Sequence, residues 1–205
     1  MSKAPLLALE GVSKTYRRGL LDRTPAFRLD VDFRIDMPSI VGVMGPNGAG
    51  KTTLFEMIAG SNAPTEGRVV VAGQNMQRVR YRERDRLAIH YHQSYQVRRF
   101  SRTRPNFMLE TAGSAYPVVH LFDEPQFNTQ DGYIGFMLDF FRRLRDEGRL
   151  VFVCLHPTAK LHLELLQEIC ERFFFVGKGT VRPFADFGGI VTDPDVRAYL
   201  GALAQ

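Results

Sequence analysis

Cysteine is scarce in this chain, and long apolar runs are missing from it. Cys154 and Cys170 are its two cysteines. Neither has a companion at metal-ligand spacing, so reduced, buried thiols are expected rather than a zinc site or a disulfide framework. No apolar stretch approaches the roughly 18 residues needed to span a bilayer, so any membrane role is expected to be peripheral. The opening segment MSKAPLLALEGVSK has neither a long apolar core nor a cleavage-like site. No signal peptide is therefore expected, and the expected location is the cytoplasm. Repeats, low-complexity tracts and linker-like segments are also absent. His90, His92, His120 and His162 show no metal-ligand spacing and read as structural. What is left is a chain of 205 residues, 44% apolar and 24% charged, which suits one globular domain spanning residues 1–205.

The net charge of +5 is unevenly placed. Arg78, Arg80, Arg82, Arg84, Arg86, Arg98, Arg99, Arg102 and Arg104 crowd one stretch, opposed only by Glu83 and Asp85. Such a patch suits nucleic acid, anionic headgroups or an acidic protein face, and equally a solvated arginine-rich surface.

The most informative segment is IVGVMGPNGAGKTTLFEMIAG, residues 40–60. It fills the phosphate-loop template G-x-x-x-x-G-K-[ST] with Gly45, Gly50, Lys51 and Thr52. An apolar run from Ile40 to Met44 leads in, and Leu54, Met57 and Ile58 follow at helical spacing, so the context is strand, glycine loop, helix. The glycines let backbone N–H groups turn inward around phosphate oxygens, and the helix N-terminus adds a partial positive charge at the same point. Lys51 is placed to reach the β- and γ-phosphates, and Thr52 to hold Mg²⁺.

Around that segment the chain reads as an α/β domain with a mainly parallel central sheet. Strands are expected over Leu6 to Leu9, with Tyr16 beyond it, over Phe27 to Ile35 with one buried face, and over Arg68 to Ala72 and Leu87 to Tyr91. Val118 to Phe122, almost wholly apolar, suits a strand buried on both faces. Further strands are expected over Leu150 to Leu155 and Phe173 to Val176. Helices are expected over Gly132 to Arg145, Leu161 to Cys170 and Pro194 to Leu203. Asp123 ends an apolar strand and has the context of a second Mg²⁺ anchor. Glu124 beside it is a candidate to polarise an attacking water. Gln93 and His156 also end strands, and all four are expected at the carboxyl edge of the sheet, where α/β proteins bind ligands.

At these residues the chain resembles the ATP-binding-cassette (ABC) ATPases over nearly its whole length. GPNGAGKTT, with Gly45, Pro46, Asn47, Gly48, Ala49, Gly50, Lys51, Thr52 and Thr53, is similar to the Walker A motif, and HLFDEP at 120–125 to Walker B. Gln93 is similarly placed to the Q-loop glutamine, which implies a contact with Mg²⁺ or the attacking water. His156 resembles the switch histidine, and Tyr16 the aromatic residue that stacks on adenine. The resemblance implies ATP and Mg²⁺ as ligands, Glu124, His156 and Gln93 in catalysis, and Thr52, Asp123 and Gln93 at the metal. It also implies a P-loop NTPase (RecA-like) core carrying an N-terminal antiparallel β subdomain.

Two departures qualify what the resemblance implies. Only Ser94 to Tyr116 lie where the family carries a helical subdomain of several tens of residues, so that subdomain reads as largely missing. The signature position falls near Phe100-Ser101-Arg102-Thr103-Arg104, which reads as a degenerate remnant in which both glycines are replaced. Gln130 stands at the usual D-loop aspartate, with Asp131 one place late. The implied function is the ATP-binding and ATP-hydrolysing subunit of an ABC transporter-type complex, with slow or partner-dependent turnover. The implied partners are a second cassette, as a dimer or as a heterodimer with a complete ABC ATPase, and a transmembrane permease at the inner face of the cell membrane. The alternative is an ATP-dependent switch or accessory module contacting a protein or, less favoured, nucleic acid. A P-loop kinase with Arg98 to Arg104 as its lid fits the set of Gln93, Asp123, Glu124 and His156 less well.

Overall fold

The computed structural model describes residues 4–19, 24–92, 117–125 and 133–204. Gln93, Arg98 to Arg104 with the FSRTR segment, and Gln130 with Asp131 lie outside the described residues. One ten-stranded sheet organises the rest, in the order β5-β4-β1-β2-β10-β9-β3-β8-β7-β6. The strands are β1 (Leu7–Arg17), β2 (Pro25–Ile35), β3 (Ser39–Met44), β4 (Glu66–Val71), β5 (Gln74–Asn75), β6 (Ala88–His92), β7 (Val119–Asp123), β8 (Leu150–Cys154), β9 (Arg172–Gly177) and β10 (Thr180–Phe184). The helices are α1 (Lys51–Ala59), α2 (Tyr133–Asp146), α3 (Lys160–Ile169), α4 (Phe187–Thr192) and α5 (Pro194–Leu200).

The half of the sheet built from β9, β3, β8, β7 and β6 is parallel, and β1, β2, β4 and β5 form an antiparallel half. The chain is thus α/β with a mostly parallel, partly antiparallel sheet. The expected N-terminal β subdomain is continuous with the core, because β10 joins β9 on one side and β2 on the other.

β3 is buried at every position because helices and strands cover both faces of the sheet. Val41 and Val43 pack in one layer with Leu54, Phe55 and Ile58 of α1. Ile40 and Met44 enter the other layer with Phe141 of α2 and Leu166 of α3. Aromatic contacts tie β6, β7 and α2 together, since the Phe122 ring stacks on Tyr91 at 4.5 Å and meets Phe141 at 4.7 Å.

Several elements differ from the sequence expectation. The strand expected over Leu6 to Leu9 is a single eleven-residue β1 that carries Tyr16 itself. Its pairing register shifts between Leu9 and Val12, where Gly11 adopts a left-handed φ of 54° and donates its amide to Asp32 at 2.9 Å. That bulge hides the alternation that marks a continuous strand. The final helix ends at Leu200, and residues 201–204 continue as a 3-10 turn. β5, β10, α4 and a 3-10 turn at Tyr81–Arg86 were not expected, being short or weakly apolar. In that last turn Arg84 is a structural residue, donating to the carbonyls of Val79 and Gly60. Arg78, Arg80, Arg82 and Arg86 are exposed, and Tyr81 among them is 78% exposed. Both cysteines are free and buried. Among the described residues no helix is long and apolar enough to cross a membrane.

His120 is fully buried on β7, with Nδ1 3.1 Å from the Tyr91 hydroxyl. Burial, aided by the Arg149 charge, pushes its imidazole down to about 3 from an ordinary 6.5. The folded state therefore excludes a proton that the unfolded chain takes up below about pH 6.5. The contribution of neutral His120 is complete above that pH and is lost as pH falls from there toward 3. This group is expected to remove up to about 1.4 kcal/mol of stability per pH unit in that window. Urea midpoints compared at about pH 7 and about pH 5 should show a flatter dependence in His120→Phe than in the wild type.

Candidate nucleotide-phosphate site

β3 delivers the chain into the 45–50 loop, and α1 begins immediately after it. Two glycines of the loop are required by close approach. A Cβ on Gly45 would lie 2.1 Å from the Val176 carbonyl oxygen of β9, and one on Gly50, at φ 104°, would lie 2.7 Å from the Phe27 ring. No side chain caps the N-terminus of α1. Its first amides are therefore available to an anion, with the helix dipole pointing the same way. Lys51 is only 7% exposed, and its ammonium donates to the carbonyls of Gly45 at 2.7 Å and Pro46 at 2.9 Å. A full positive charge thus sits inside the loop.

The second half of the site comes from β7. Asp123 is 4% exposed, and its Oδ2 accepts a hydrogen bond from Thr52 Oγ1 at 2.9 Å. His90 Nε2 from β6 lies 3.3 Å from the same oxygen, and the buried Cys154 thiol of β8 feels the charge of the same carboxylate. Burial and the neighbouring carboxylate push the Cys154 thiol well above its ordinary range, so it stays protonated. Glu124 follows in a left-handed conformation at φ 51°, its amide donating to the Cys154 carbonyl at 3.0 Å.

These residues face a cleft of about 350 Å³. Tyr16 and Phe27 line it from the antiparallel strands, and Lys51, Thr52, Asp123 and Glu124 from the parallel half. Asn47, Gly48, Gly50 and Thr53 complete the loop side of its wall, while Ala49 packs against the core. Tyr16 is 39% exposed, and its hydroxyl accepts from Asn62 at 2.6 Å. The Lys14 ammonium lies 5.2 Å from its ring centre. Thr52 Oγ and the Asp123 carboxylate are hard oxygen donors brought together, a pair that suits Mg²⁺ held jointly with phosphate oxygens and water. His156 is not on the cleft wall. Its Nδ1 lies 2.8 Å from the Tyr199 hydroxyl of α5. Two contacts went unread in the sequence, His90 on Asp123 and Tyr199 on His156. A signal for the first was available, since β6 lies parallel to β7 and His90 is three residues ahead of Gln93. Nothing local to Tyr199 pointed to the second.

A sequence profile for the family described as ABC transporter matches residues 29–140, more than half of the chain. The chain belongs to the ABC transporter family. A 73-residue segment is 42% identical to the methionine import ATP-binding protein MetN of Nocardia farcinica, covering 36% of this chain and 21% of that protein. An 84-residue segment is 37% identical to the lipoprotein-releasing system ATP-binding protein LolD of Xanthomonas campestris, covering 41% and 34%. The matched segments thus span about a third or less of these relatives' own length. The fold matches a dimeric ATP-binding cassette in a post-hydrolysis state bound to ADP and Pi, with a TM-score of 0.65 at 18% identity over 87% of this chain and 98% of that one. It also matches the ADP conformation of an ATP-binding cassette of an ABC transporter, with a TM-score of 0.68 at 14% identity over 97% and 99%. At such identities these likenesses speak for the fold alone.

The close packing of this cassette's loop against β9 is open to a direct check. Gly45→Ala forces a Cβ onto the Val176 carbonyl and is expected to cost about 2–3 kcal/mol through a shift of the loop or of β9. Denaturant titration of the variant should show the drop in midpoint with an unchanged slope.

Proposed function

We propose that this chain, read as a single ATP-binding domain over residues 1–205, binds Mg-ATP in the cleft between Tyr16 and Asp123. On this reading it hydrolyses ATP slowly, or only with a partner, as the ATP-binding subunit of an ABC transporter-type complex. The observation that carries the proposal is the Thr52 Oγ1 to Asp123 Oδ2 hydrogen bond of 2.9 Å. It brings the start of α1 and the end of β7 to one point beside the Lys51 charge.

The loop amides and Lys51 take the β- and γ-phosphates, and Tyr16 presents a half-exposed ring to the base. Mg²⁺ at Thr52 and Asp123 would neutralise developing phosphate charge. Glu124 orients the attacking water as candidate base, His156 serves the terminal phosphate, and Gln93 belongs to the same set by its place in the sequence. Turnover is slow or partner-dependent because the sequence has Arg102 and Thr103 at the signature positions that are glycine in the family, and a glycine-rich backbone is what approaches a γ-phosphate closely. A second cassette supplies what FSRTR lacks, in a homodimer or a heterodimer. A permease at the inner face of the membrane is the further partner, and the cytoplasm the location. The exposed Arg78, Arg80, Arg82 and Arg86 favour one second reading, a nucleotide-dependent switch docking on an acidic protein face.

Lys51→Ala is expected to lose at least about tenfold in affinity for a fluorescent ATP analogue with Mg²⁺. Glu124→Gln should keep that affinity and lose about a hundredfold or more in phosphate release. Phosphate release measured across protein concentration separates the two readings. A faster-than-linear rise that vanishes in Lys51→Ala supports a working homodimer. A flat line at the blank with intact binding, unchanged when a complete cassette is added, would retire the hydrolysis reading in favour of the switch.

A further inference from the structure

Tyr199 stands forty-three residues from His156 in the chain, yet its hydroxyl lies 2.8 Å from His156 Nδ1. The Gly45 backbone amide at the start of the phosphate loop acts on the same hydroxyl, opposing the effect of burial. One phenol oxygen therefore holds the histidine from close beside the loop. A phenol donates more readily than it accepts, and a bare imidazole nitrogen is a good acceptor, so the favoured form of this short contact has the phenol's proton donated to Nδ1. An Nδ1 that accepts carries no proton, so the neutral imidazole must hold its proton on Nε2.

The phenol is firmly held. α5 opens at Pro194, and Asp193 caps it by accepting from the amides of Asp195 and Val196. Asp193 is gripped in turn by both terminal nitrogens of Arg182 on β10, at 2.8 and 2.9 Å. Asp195 is tied to the same guanidinium and to Lys178. Val196 and Leu200 are buried in the core layer, and the Tyr199 ring packs 5.8 Å from Phe175. Burial pushes the Tyr199 hydroxyl up to about 12, so it remains a protonated donor at neutral pH.

We propose that Tyr199 is a positioning residue for His156: it fixes the imidazole as the Nε2–H tautomer, a hydrogen-bond donor suited to an anionic phosphate oxygen, and ties its orientation to the anchored helix α5. The proposal rests on the reading above in which His156 serves the terminal phosphate. It assigns a function to α5 that packing alone does not require. Val196 and Leu200 anchor the helix, whereas the hydroxyl does not contribute to that anchoring.

The test uses the full chain labelled with ¹⁵N-histidine at about pH 8, with the His156 signals identified by their loss in His156→Gln. Wild type is expected to show distinct acceptor Nδ1 and donor Nε2 signals. Tyr199→Phe, which removes a single oxygen and keeps the ring packing, is expected to bring them toward the averaged values of a free imidazole. In the ATPase assay the same variant should leave the KM for ATP within about twofold and lower kcat about tenfold, the loss of one hydrogen bond acting after binding. An Nδ1–H tautomer in wild type, or signals unmoved in Tyr199→Phe, would overturn the proposal. The expected tautomer, lost in Tyr199→Phe with no turnover in either protein, would sustain the positioning role while sinking the hydrolysis reading.

Discussion

Everything at the candidate site depends on the register in which β3, β8 and β7 run side by side. Val43 pairs with Cys154, and Cys154 pairs with Asp123, so the carboxyl ends of three parallel strands fall within a residue of one another. The loop after β3, the Asp123-Glu124 pair after β7 and His156 after β8 therefore all start at one edge of the sheet. A slip of one residue in any pairing would exchange the two faces of that strand. It would send Val41 and Val43 away from α1, so the apolar pattern that builds the core also aligns the chemistry. Contact of Gly45 with β9 on the other side of β3 closes the arrangement, because the loop can turn there only without a side chain.

The polar groups at this edge are buried, and that makes their partners obligatory. A carboxylate as enclosed as Asp123 is unfavourable unless donors surround it. Thr52 and His90 meet that need from two different elements, α1 and β6. The same contacts fix the direction of the carboxylate before any ligand arrives, which is the preorganisation that phosphate chemistry requires. Lys51 follows the same logic with the sign reversed, its charge enclosed by the loop's own carbonyls.

The parts legible in the sequence are those where one backbone demand imposes one residue type. Gly45 and Gly50 could be read from the motif because contacts under 3 Å wait for any Cβ at those positions. β3, β7 and β8 could be read because burial on both faces leaves unbroken apolar runs. β1 is legible only in its first residues because Gly11 interrupts its alternation at the bulge, and β10 is illegible because Arg182 and Pro183 break its apolar pattern. His90 and Tyr199 were illegible for a different reason. Each acts through a side-chain contact across the fold, 33 and 43 residues distant in sequence, and neither breaks a local rule that would draw attention to it.

Backbone strain separates structural necessity from the requirements of the site. Among the described residues three that are not glycine take positive φ: Ala72, Glu124 and Lys178. Ala72-Gly73 and Lys178-Gly179 are the two-residue turns of the β4–β5 and β9–β10 hairpins, where positive φ at both positions matches the twist of the paired strands. Glu124 has no such reason. It follows a parallel strand, where no tight hairpin is formed, and a glutamate held in that region costs on the order of 1–3 kcal/mol. Its amide is held by the Cys154 carbonyl next to the most buried carboxylate of the site. The conformation turns the chain at the end of β7 so that Glu124, like Asp123, lines the cleft. A relaxed extended residue there would continue the strand and, by the alternation of side chains, direct one of the two carboxylates to the opposite face. The strain at Glu124 is thus the local condition for two adjacent carboxylates to serve one cleft.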